Sequence, residues 1–173
     1  KNSNKSAEKE IDWLNKRFRD RATEKRLTHV IVRHSDDKTD SKVLAIASAL
    51  EEMASIYELV LIKLVPHPES ASEKETKKPL TVEIGNDPGD FIDFFSNLLT
   101  ACRRAGVSTE VIIPDLSWLT ASLGEEEVLS YLIAQTAALQ TSNIVLTCFL
   151  HPDLHSEQFL ESCERFGSET IEL

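Results

Sequence analysis

The chain reads as an α/β protein: a doubly wound, five-stranded, mainly parallel sheet with helices on both faces, preceded by an amphipathic helix. Three observations predict this class. Aliphatic and β-branched runs at 27–33, 59–65, 107–113 and 143–149 suit strands covered on both sides. Segments of helical period alternate with those runs, as parallel crossovers require. The 173 residues, 41% hydrophobic and 28% charged, are enough to bury one core without disulfides or metals as staples.

Taken in order, residues 1–7 are polar and expected to fray. From about Glu8 to Lys25, Ile11, Leu14 and Phe18 fall at i, i+3 and i+7 with Trp13 beside them. Lys9, Lys16, Arg17, Arg19 and Arg21 are assigned to the remaining faces, so this helix is amphipathic and basic. Residues 1–26 form the lead-in segment and 27–173 the α/β domain. Val30-Ile31-Val32 makes the first strand, and Asp36, Asp37 and the Thr39-Asp40-Ser41 group supply turn and N-cap chemistry. Val43, Leu44, Ile46, Ala47, Leu50 and Met53 then recur at helical spacing. The second strand, from Leu59, ends at Pro66. Residues 67–79 have the Ser, Glu, Lys and Pro content of an exposed loop, and 81–84 can add a short edge strand.

"NDPGD" at 86–90 opens a helix carrying Phe91, Phe94, Phe95, Leu98, Leu99 and Cys102, with Gly106 as its C-cap. Pro114 stops the strand at 107–113. Glu125, Glu126 and Glu127 favour the first turn of a helix that runs to Leu139. After the strand at 143–149 come a short helix at 156–166 and a final strand at 169–173.

The formal net charge of −10 argues against nucleic-acid binding through a basic face. Charge is unevenly placed: residues 1–26 hold nine Lys/Arg against five Asp/Glu, a net of +4, leaving −14 for the rest. Such asymmetry marks an arm with a job of its own. A basic amphipathic helix of this kind lies on an anionic membrane surface, docks on its own domain or dimerises. Cys102, Cys148 and Cys163 form no CxxC and read as packed thiols in a reducing compartment. No apolar run approaches the roughly 20 residues of a membrane span. The chain is thus expected to be soluble, and its start at Lys1 fits an excised piece of something longer.

Four phrases, in order, resemble the universal stress protein family over residues 28–173. "THVIVRHSDD" resembles its first strand and acidic turn, and "KVLAIASALEEMASIYELVLIKLVP" its first helix and second strand. "LLTACRRAGVSTEVII" resembles the passage into its third strand, and "LIAQTAALQTSNIVLTC" the passage into its fourth. The resemblance implies strand order 3-2-1-4-5 and a switch point beside residues 28–34. Nucleotide-binding members carry a glycine-rich phosphate loop after the fourth strand. Backbone N–H groups reach phosphate there because no Cβ intrudes. The corresponding stretch here, "LTCFLHPDLHSEQFLESCERFGSE", has no glycine before Gly167, a proline without an N–H, and the repelling carboxylates of Glu157, Glu161 and Glu164. The phosphate site is read as absent, with Asp36 or Asp37 left as the one residual ligand position. Domains of this degenerate type occur as cytosolic C-terminal parts of cation–chloride cotransporters, amino-acid permease relatives and antiporters. The resemblance therefore implies a non-catalytic, cofactor-free regulatory or assembly domain at the cytoplasmic face of a membrane. Its implied partners are a second copy and the membrane-embedded transport domain of the same polypeptide. The alternative is a free-standing relative that binds a nucleotide or another small ligand.

Other residues carry weaker chemistry. His151, Asp153 and His155 could ligate Zn²⁺ or Ni²⁺ given a further ligand, against the plainer reading of a polar loop that caps the next helix. His34-Ser35-Asp36 has triad residue types, but neighbours on a strand end point apart. His29 reads as an ordinary strand-edge residue. Trp118 is either a packed lid or a partner anchor, and Trp13 and Phe18 are the corresponding candidates on the lead-in helix.

Overall fold

The computed structural model describes residues 3–21, 26–33, 41–68 and 80–173. In chain order it contains α1 (Ser3–Arg21), β1 (Leu27–Arg33), α2 (Ser41–Tyr57), β2 (Val60–Val65) and β3 (Thr81–Gly85). There follow α3 (Pro88–Ala105), β4 (Thr109–Ile113), α4 (Ser117–Leu123), α5 (Glu125–Leu139), β5 (Ile144–Cys148) and α6 (Glu157–Phe166). The sheet is parallel throughout, in the order β3-β2-β1-β4-β5.

The order 3-2-1-4-5 is the expected one, but different segments fill it. The short stretch at 81–85 is a full member, pairing with β2 from Leu61↔Thr81 to Val65↔Gly85. The strand at 109–113 lies beside β1 in the fourth place, and 144–148 is the fifth. Residues 169–173 form no strand, and Ile171 and Leu173 are exposed. Alternation alone makes a strand only where a sheet edge takes up its hydrogen bonds.

The winding decides which helices cover which face. Right-handed crossovers that run outward in opposite directions from β1 put their helices on opposite sides of the sheet. One crossover helix, α2, serves β1 to β2, whereas α3, α4 and α5 serve the steps from β3 to β4 and β5. Ile31, Ile62, Leu64, Val111, Ile113 and Ile144 face this second group, packed with Phe91, Phe95, Leu99, Trp118 and Val128. The short helix α6 joins them through Phe159. Phe91 and Phe95 stack at 5.7 Å, and Trp118 meets Phe91 edge-on at 5.3 Å. Asp87 caps α3 by accepting from the Gly89 N–H, and Gly106 closes it at φ +65°, where a side chain would be strained.

The front face carries Val30, Val32, Leu61 and Ile112 against Ile46, Leu50 and Met53 of α2. The lead-in helix α1 packs along α2 and buries Ala7, Leu14 and Phe18 in this core, with Ile11 and Trp13 at the margin. It reaches the β4–β5 side through Arg17 and Arg21 on Glu110 and through Trp13 on Phe149. That helix starts earlier than its apolar stripe predicts, because Ala7 is buried too. Among the described residues no helix is long and apolar enough to cross a membrane.

Candidate functional site

In open parallel sheets ligands gather where the strand order reverses, beyond the carboxyl ends of the strands. Here that place lies between β1 and β4. The residues that follow β1, 34–40 with His34, Asp36 and Asp37, fall outside the described residues. The other wall follows β4, not the strand at 144–148 that the family resemblance implies. It reads Pro114-Asp115-Leu116, again without glycine. Pro114 has no N–H to offer, and the Asp115 carboxylate is already taken up: it accepts from the Ser117 N–H at 2.8 Å and the Ser117 hydroxyl at 2.7 Å. A phosphate on this wall would meet a buried carboxylate in place of bare N–H groups. A cleft of about 170 Å³ opens at the opposite end of the sheet, near Arg103, Gly106 and Asn143, and is smaller than an ordinary small-molecule pocket.

The strongest polar constellation sits on the front face. Glu110 is the second residue of β4, and its side chain is 0% exposed. In a strand interior such a carboxylate is costly unless it is paired and hydrogen-bonded. Arg17 donates Nε–H to Oε1 at 2.7 Å, and Arg21 pairs with Oε2. Thr147 of β5 donates its hydroxyl to Oε1 at 3.1 Å. The two arginines are one helical turn apart, so both reach down from the same side of α1. Both were expected on solvent faces of the helix; the carboxylate beneath draws them inward. The Arg17 guanidinium also lies 4.7 Å over the Trp13 ring, and Trp13 meets Phe149 edge-on at 5.9 Å. A second ion pair, Lys42 to Glu10 at 2.6 Å, ties α1 to α2. The clamp therefore combines apolar burial, a cation–π contact and a desolvated carboxylate.

A histidine cluster occupies the back face near α6. The His155 side chain is fully buried, stacked on Phe159 at 4.9 Å, with Nδ1 3.6 Å from Glu125 Oε1. Among the described residues neither of its ring nitrogens meets a partner at hydrogen-bond distance, nor does His151 Nε2. Burial pushes the His155 pKa down, against the pull of Glu125 and Asp115. Glu125 takes both the Ser156 N–H and its hydroxyl, which lowers its own pKa and fixes the start of α6. Burial raises the Cys148 thiol to about 12 and the Cys163 thiol in the same direction, so neither is an activated nucleophile.

Several sequence candidates fall elsewhere than expected. Asp153 is exposed on the 3-10 turn at Pro152–Leu154, and among the described residues no three His, Cys, Asp or Glu side chains converge on a metal position. Phe18 packs on Tyr57 in the front core and Trp118 on Phe91 in the back core, both buried in this structure. Trp13 is half-buried beneath Arg17. His29, read as a strand-edge residue, is buried on the central strand β1, and burial lowers its pKa. Glu110 is the residue that sequence reasoning missed. A lone acid in "TEVII" was the available signal, and its partners lie about ninety residues earlier in the chain.

No family model, curated protein or solved structure matches the chain.

Proposed function

We propose that the chain is a non-catalytic regulatory or assembly domain of a membrane transporter, acting on the cytoplasmic side, with α1 as its coupling element to the membrane-embedded part and a second copy as partner. One observation carries the reading: α1 lies outside the βαβ winding and is held by the charged joint of Arg17 and Arg21 on Glu110. A helix seated through two arginines on one carboxylate can be released or re-seated without unwinding the sheet. The sequence resemblance to degenerate universal stress protein domains supports the transporter setting. The filled, glycine-free wall at Pro114-Asp115 supports a role that does not use a polyphosphate.

Three measurements test this. The reading frame that encodes the chain should contain apolar segments long enough to cross a membrane upstream of Lys1; their absence sinks the transporter setting. In that full-length protein, R17Q/R21Q should change the transport rate at unchanged surface expression. Calorimetry with ATP and AMP should give no binding, and micromolar affinity would favour the free-standing nucleotide-binding alternative.

A further inference from the structure

The residues that seat α1 would also suit a different surface. The helix holds six Lys/Arg against four Asp/Glu, whereas residues 27–173 carry a net charge of −14. Leu14 and Phe18 form its apolar side, Trp13 and Ile11 flank it, and Arg17 and Arg21 lie along the same border. Lys16 and Arg19 remain exposed while the helix is docked. Aromatic and aliphatic groups bordered by arginines are what a helix needs to lie in the interface of an anionic bilayer. The acidic domain itself would be repelled from such a surface, so α1 is the one described helix with a net positive charge.

We propose that α1 has two mutually exclusive seats, the front face of its own sheet and an anionic lipid surface, and that Glu110 is the internal competitor for Arg17 and Arg21. Exclusion follows from geometry: Leu14 and Phe18 cannot be buried under α2 and in lipid at once, and each guanidinium can face Glu110 or a headgroup phosphate. Occupancy of the lipid seat bares Glu110 and the apolar surface around Ile112 and Phe149, which gives the membrane a way to signal to the domain. The inference rests on α1 as the coupling element, not on which transporter carries it.

Co-sedimentation with vesicles tests the proposal, comparing phosphatidylcholine alone with phosphatidylcholine mixed with phosphatidylserine. E110Q, which weakens the internal seat, should bind the mixed vesicles more than wild type. Each arginine regained for the lipid is worth roughly fivefold in partitioning. R17Q/R21Q in the E110Q background should remove the gain, and neither protein should bind phosphatidylcholine alone. If E110Q does not fold, T147V removes only one hydrogen bond to Glu110 and should give a smaller gain of the same sign. The proposal is overturned if the variants leave α1 protease-sensitive yet bind mixed vesicles no better than wild type. It is equally overturned if the released helix is captured by a second copy as a stable dimer that ignores vesicles. In either case a transport effect of R17Q/R21Q would leave the coupling reading standing.

Discussion

On the back face of the sheet, Phe91, Phe95, Trp118 and Phe159 belong to helices that the chain must use to travel between strands or directly after the last one. On the front face, toward β4 and β5, lies a helix that no crossover requires, seated through Glu110. The first arrangement draws its cohesion from apolar area, and its crossover helices cannot be lifted without unthreading the fold. The second mixes apolar area with charge, which makes it specific, sensitive to ionic conditions and separable. The lesson is that one sheet can carry a permanent side and a conditional side, and that the winding assigns which is which.

The comparison breaks if the two sides fail together. F91A removes a fully buried ring from the stacked cluster and should cost about 3–5 kcal/mol in one cooperative transition, read by chemical denaturation. E110A leaves two arginines without their carboxylate. Because both retain some water, the cost should be about 2–4 kcal/mol, at or just below that of removing one partner of a fully buried pair. In E110A, hydrogen exchange should accelerate across α1 while α3 and α5 keep their protection; equal loss in all three would show that the faces are one cooperative unit.

Ionic strength sharpens the contrast at smaller amplitude. Raising salt toward molar, where the screening length is about 3 Å, should speed exchange in α1 with an effect below about 1 kcal/mol and leave α5 unchanged or firmer. The smallest effect concerns pH. His155 and His29 are held neutral by burial, so their folded pKa values lie below 6.5. Below 6.5 the unfolded chain binds more protons than the fold at these sites, so their contribution to stability is complete above that value and erodes as pH falls. Denaturation at successive pH values from neutral to mildly acidic should show this slope, and H155F should flatten it.

The elements themselves were legible, because periodicity and capping are local. The Phe91–Cys102 stripe, the Asp87 and Gly106 caps, and the strand runs around Val30, Ile62 and Ile112 all mark structure where they stand. Residues 169–173 misled, since their alternation says nothing about whether an edge is present to pair with. The short, polar stretch at 81–85 was understated for the converse reason: β2 supplies the partner that its composition does not advertise. The placement of Arg17 and Arg21 could not be read from α1, whose own pattern leaves them on the polar side.

The sequence by itself determined that this is a wound α/β chain with a basic amphipathic lead-in, because hydrophobic period, turn residues and charge are properties of neighbours along the chain. Only the tertiary structure decided that strand 109–113 stands beside β1, and that Glu110 beneath α1 turns two surface arginines into a clamp. A buried carboxylate must find its cation wherever the fold brings one near. Here the winding, not the spacing, brought it from about ninety residues away.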